Sequence, residues 1–123
     1  MFPIWHIYHV KKCRHARPAP KDKFVVIVCE AENPMGFFIN SDINPFIKNH
    51  PSLLACQANI KASHHKCLRQ NSSVDCIEIY PFEGNELSDI RDPISKQAKA
   101  EIQKAVAKSK TLERHYQKLI LGN

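Results

Sequence analysis

Four chemistry-bearing side chains, His64, His65, Cys67 and Cys76, fall within the fifteen residues ASHHKCLRQNSSVDC of a chain whose net charge is +6. Imidazole and thiolate are the usual ligands of zinc, and His64 with Cys67 makes one usable pair. Structural zinc sites generally take two close pairs of the C-x2-C kind, and this sequence has no C-x2-C; Cys56 or His50 would have to join Cys76 from separate elements. That spacing is poor for a compact metal site, and the reading expects no metal and no other cofactor. Thiolate catalysis needs a nearby cation or histidine. Cys13, beside Lys12, Arg14 and His15, meets that need best and Cys67, beside His65, second, but neither sits in a local catalytic signature. Cys29, Cys56 and Cys76 occupy positions suited to small buried hydrophobes.

Phosphoryl chemistry on RNA asks for less, because the substrate brings its own 2′-hydroxyl nucleophile. The protein supplies a group that positions that hydroxyl and cations that stabilise charge on the phosphate. The segment KKCRHARPAPKDK carries Lys11, Lys12, Arg14, Arg17, Lys21 and Lys23, and Pro18 and Pro20 restrict its backbone. By composition alone a solvated basic loop is the favoured reading of this segment.

Charge is segregated along the chain. Residues 1–29 carry +5, residues 30–77 cancel, residues 78–92 carry −4 and residues 93–123 carry +5. Basic clusters of this kind suit a polyanion, whose counterions they displace. With 123 residues and 43% hydrophobic content, one domain with one modest core is expected. Apolar runs are too short to cross a membrane, the N-terminus MFPIWHIYHVKK does not read as a secretory signal, and five cysteines suggest reduced thiols in a cytoplasm.

The elements that must position these residues follow from pattern. FPIWHIYHV and KFVVIVC read as strands on either side of the basic loop, and FFINSDI as a third that forms a hairpin with the second across ENPMG. Asn44 and Pro45 open a single helical turn that Pro51 closes. CQANI and CIEIYPF are further strands, the first with Cys56, Ala58 and Ile60 on one face. From about Asp92, Ile94, Ala98, Ile102 and Val106 recur every four residues as an amphipathic helix, and after a break near Ser109, Leu112, Tyr116, Leu119 and Ile120 mark a second. Strands over about 2–80 followed by helices over about 92–121 predict an α+β domain, a small bent antiparallel sheet or barrel packed by two C-terminal helices.

The order KDKFVVIVC, GFFINSDI, SHHKCLRQNSSVDCIEIY and ISKQAKAEIQKAVAKSKTL resembles a divergent branch of the MazF/PemK-like toxin superfamily. The resemblance implies an SH3-like barrel, commonly a homodimer, acting as a metal-independent endoribonuclease of a type II toxin–antitoxin system and neutralised by an antitoxin protein. In better-known members a basic residue and a proline precede an apolar strand, and a threonine or serine follows the next. Arg17-Pro18, Lys23 and Ser41 resemble that pattern. The Arg-Pro pair lies further from its strand here, the glycine-bearing start of the first strand is absent, and serine stands for the more familiar threonine. On this reading Arg17 and Lys23 stabilise the phosphate, Ser41 positions the 2′-hydroxyl or a phosphate oxygen, His65 is a candidate general acid, and Lys11, Lys12, Arg14 and Lys21 help bind RNA. The alternative expectation is a non-catalytic SH3-like module that binds nucleic acid or an acidic protein segment through the same basic loop.

Overall fold

The computed structural model describes residues 2–123 as a mixed α+β fold, a curled antiparallel six-stranded sheet with helices. The strands are β1 (His6–Cys13), β2 (Lys21–Glu30), β3 (Pro34–Asn40), β4 (Gln57–Ile60), β5 (Ser72–Pro81) and β6 (Ile90–Pro93), in the spatial order β4-β5-β3-β2-β1-β6. Two single-turn helices, α1 (Pro45–Lys48) and α2 (Pro51–Leu54), lie between β3 and β4, and α3 (Lys96–Lys108) and α4 (Arg114–Gly122) close the chain. Among the described residues no helix is long and apolar enough to cross a membrane.

The continuous apolar run of β2 is explained by burial on both faces. Val26 and Val28 pack with Ile7, Phe37, Val74 and the α3 residues Ala98, Ile102 and Val106, whereas Val25 and Ile27 pack on the other side with Tyr8, Val10, Phe82 and Leu87. The expected β2–β3 hairpin is present, with Val25 opposite Phe38 and Val26 opposite Phe37. Gly36 permits it: a Cβ there would lie 2.7 Å from the Val26 carbonyl oxygen, a backbone atom that cannot swing aside. Along β1 the register slips between Val10 and Cys13, where Lys12 takes a φ of 46°. This bulge bends the strand end and aims the basic loop across the sheet.

Several expected boundaries, and one packing position, differ in the structure. The first strand starts at His6 rather than near Phe2 and runs on through Lys11 and Lys12. Pro51 opens α2 instead of closing the helical segment, although Asn44 caps α1 as expected, its side chain accepting from the Phe46 N–H at 2.7 Å. The third helix begins at Lys96, capped by Ser95, because residues around Asp92 are taken by β6, which pairs with β1. Ile90 to Pro93 is a largely exposed strand with no buried face, so no apolar period marked it. Finally, Leu119 is 38% exposed, while Ile120 carries the burial of α4.

Candidate functional site

Lys23 is the centre of the basic surface. It stands near the start of β2, half-buried, its Nζ donating to Asn40 Oδ1 at the end of β3 and lying 4.9 Å from the Phe38 ring centroid. Burial first, and the neighbouring charge of Lys21 second, lower its pKa from the ordinary lysine value. It is held as a fixed cation, in contrast to the waving ammonium of an exposed lysine.

Two depressions meet at this lysine. One, of about 230 Å³, is lined by His15, Arg17, Lys21, Lys23, Phe38, Asn40 and Tyr80. The other, a groove of about 810 Å³, shares Lys21, Lys23 and Asn40 with it and adds Ser41, Arg69 and Arg91. The β2–β3 hairpin puts Lys23 and Ser41 together, because Phe24 pairs with Ile39 and the polar ends of both strands emerge side by side. The bulged end of β1 delivers Arg17 from the loop. Thus Arg17, Lys21, Lys23 and Ser41, far apart in sequence, line one connected basic surface.

Other expected residues stand elsewhere. Arg14 is tied to Glu86, Nε to Oε2 at 3.3 Å, and donates to the Pro81 carbonyl at 3.2 Å, so much of its donor capacity is spent within the fold. Lys11 and Lys12 are exposed on β1 and line neither depression. His65 is 1% exposed. Its Nδ1 donates to the Lys61 carbonyl at 2.7 Å and its Nε2 accepts from the Ser95 N–H at 3.0 Å, so both nitrogens hold the segment before β5 onto the start of α3. The general-acid role expected of His65 finds no free proton position in this arrangement.

His15 is the histidine that the fold brings to the cations. Its Nε2 is 2.7 Å from the Pro81 carbonyl oxygen, an acceptor only, which fixes the proton on Nε2 and leaves Nδ1 as a lone pair. No group among the described residues hydrogen-bonds Nδ1. The ring stacks on Tyr80 at 4.8 Å and Tyr80 on Phe38 at 4.7 Å, a row of aromatics that ends at Lys23. Burial pushes the Tyr80 phenol up to about 12, so it stays neutral. Sequence reasoning had noted His15 only as a neighbour of Cys13. Its place between Arg14 and Arg17 was the available signal, but a loop residue's partners depend on which strand the loop folds over. Arg91 was missed because it sits in the acidic part of the chain, and Asn40 because amides carry no motif.

The cysteines are structural. Cys13 is 0% exposed, and Cys67 is raised to about 11 by burial first and next by the hydrogen bond that its thiol donates to the Asp92 carboxylate. Cys13 is closed to a substrate and Cys67 disfavours thiolate, so neither has the setting of a cysteine nucleophile. All five thiols are unpaired. Among the described residues no three His, Cys, Asp or Glu side chains gather as a metal-binding group. In the opening stretch, Leu68 is buried and Asp75 accepts from Gln57 Nε2 at 3.0 Å and from the Ile77 N–H at 3.1 Å, a strand-fastening role.

No protein-family model and no curated protein matches this chain.

Proposed function

We propose that the chain is an RNA-cleaving protein whose basic surface holds one phosphate of a single strand beside His15. The observation that carries this reading is the convergence of an imidazole with a free nitrogen, a guanidinium and a half-buried ammonium on one depression. In the reaction, His15 Nδ1 takes the proton of the 2′-hydroxyl and the 2′-oxygen bonds to phosphorus. The bond from phosphorus to the 5′-oxygen breaks, and that oxygen takes a proton from water. A 2′,3′-cyclic phosphate and a 5′-hydroxyl end result. Arg17 and Lys23 stabilise the charge that grows on the phosphate oxygens, Ser41 orients the strand in the adjoining groove, and Arg14, Lys11, Lys12 and Lys21 add to its attraction. His65 contributes by positioning, through the Lys61 and Ser95 backbone.

This reading keeps the resemblance to MazF/PemK-like toxins, with the curled sheet as an SH3-like barrel, an antitoxin as partner, a homodimer as assembly and the cytoplasm as location. Incubation of the purified protein with total RNA in EDTA tests it. New 5′-hydroxyl ends are expected from the wild type, with a loss of about two decades in rate for Arg17→Ala, Lys23→Ala. No cleavage, or equal cleavage by the double variant, overturns it.

A second reading is a non-catalytic module that binds nucleic acid or an acidic protein segment. It rests on the fixed placement of Lys23 by Asn40 and Phe38, which is all that steady binding of an anion requires. Salt-sensitive RNA binding with intact product after long incubation would select this reading.

A further inference from the structure

His9 lies on β1 with its ring edge-on to Phe24, 5.1 Å between centroids. A carboxylate stands at each of its nitrogens: Asp22 Oδ2 is 4.0 Å from Nε2, and Asp89 Oδ2 is 3.7 Å from Nδ1. Nδ1 is buried and makes no hydrogen bond. Carboxylates accept only, and a neutral imidazole has a single N–H, so neutral His9 turns a lone pair toward one of the two. Only the imidazolium can donate to both.

Both carboxylates also hold parts of the basic surface. Asp22 Oδ1 accepts from the Lys12 N–H at 2.9 Å, at the root of the loop that carries Arg14 and Arg17. Asp89 grips the Arg91 guanidinium through both oxygens, at 2.7 and 2.9 Å. Asp22 and Arg91 themselves line the 810 Å³ groove. The charged groups around His9 are therefore Asp22 from β2, Asp89 and Arg91 from the β6 side, and Lys11 on β1, whose charge also reaches Asp89.

We infer that His9 is a proton-operated clasp on the groove wall that strengthens the grip on a polyanion as pH falls. Protonated His9 bridges β2 to the β6 side, draws in Asp22 and Asp89, and cancels negative charge that otherwise opposes phosphates on the groove. By linkage, a polyanion that binds better to the protonated form promotes uptake of the proton. The clasp rests on the reading of this groove as an RNA-binding surface and adds its regulation.

The test uses a fluorescein-labelled single-stranded deoxyoligonucleotide, which lacks the 2′-hydroxyl and stays intact, with anisotropy followed from about pH 8 to about pH 5.5 at constant ionic strength. Wild-type affinity is expected to rise about fivefold more over this range than that of His9→Gln. Asp22→Asn, Asp89→Asn, altered at two exposed side chains and so independent of how His9→Gln folds, is expected to show the same shallow response. Parallel curves for the wild type and either variant overturn the clasp and leave the groove. Loss of the excess in His15→Gln would assign the proton to His15 and overturn it as well. Absence of saturable binding by the wild type at every pH removes the RNA reading, and the clasp with it.

Discussion

Lys23 holds its charge where burial opposes it, and that opposition has a sign that can be measured. Its folded-state pKa lies below the unfolded value of 10.5, so between the two the unfolded chain binds more protons, and stability rises with pH across that window. Lys23→Met is expected to abolish this rise and to leave the chain as resistant to urea at neutral pH as the wild type, or more so. The same substitution is expected to weaken binding of single-stranded RNA about tenfold. Denaturation at several pH values and a binding titration check both halves. A drop in stability with unchanged RNA binding would make Lys23 a packing residue.

At the scale of elements, the segment before β5 and the start of α3 are fastened by His65 and Ser95. His65→Ala would leave the Lys61 carbonyl and the Ser95 N–H without their partner, at a cost of about 2–3 kcal/mol in unfolding free energy. Cleavage per folded molecule should stay at the wild-type level, which separates positioning from catalysis. Ser95 also accepts from the Ala98 N–H at 3.1 Å, and Ser95→Ala should cost about 1 kcal/mol by the loss of this cap. Urea unfolding measures both. The period of α3 could be read because burial of Ala98, Ile102, Ala105 and Val106 repeats with the helical turn. No such repeat exists in β6, which is held by pairing with β1 and by the Cys67 N–H donating to Asp92, and so the sequence offered a helix where a strand edge lies.

For the whole molecule, the arrangement of charge matters more than its total. Lys21 and Lys23 from β2, Arg17 from the loop, Arg69 from the segment before β5 and Arg91 from β6 line one surface, though Arg91 belongs to the stretch of the chain that is negative overall. Three to five phosphate contacts on a single strand predict a slope of log K against log salt of about −2 to −3.5. Arg17→Ala should make that slope shallower by about 0.7. Titrations at several salt concentrations decide, and a slope near zero would remove the polyanion from consideration.

What the sequence by itself determined was local or periodic: the apolar β2 run, the β2–β3 hairpin, the Asn44 cap, the stripe of α3 and the basic loop between β1 and β2. Those features depend on neighbours a few residues away, and side-chain alternation or helical period writes them into the chain. The tertiary structure alone decided which histidine meets the cations. His15 reaches Arg17 and Lys23 because the β1 bulge folds the loop over β5, where the Pro81 carbonyl sets its tautomer, while His65 is consumed by two backbone partners that lie four and thirty residues from it. It also decided the pairing of His9 with Asp22 and Asp89, since strands β2, β1 and β6 become neighbours only when the sheet closes in that order.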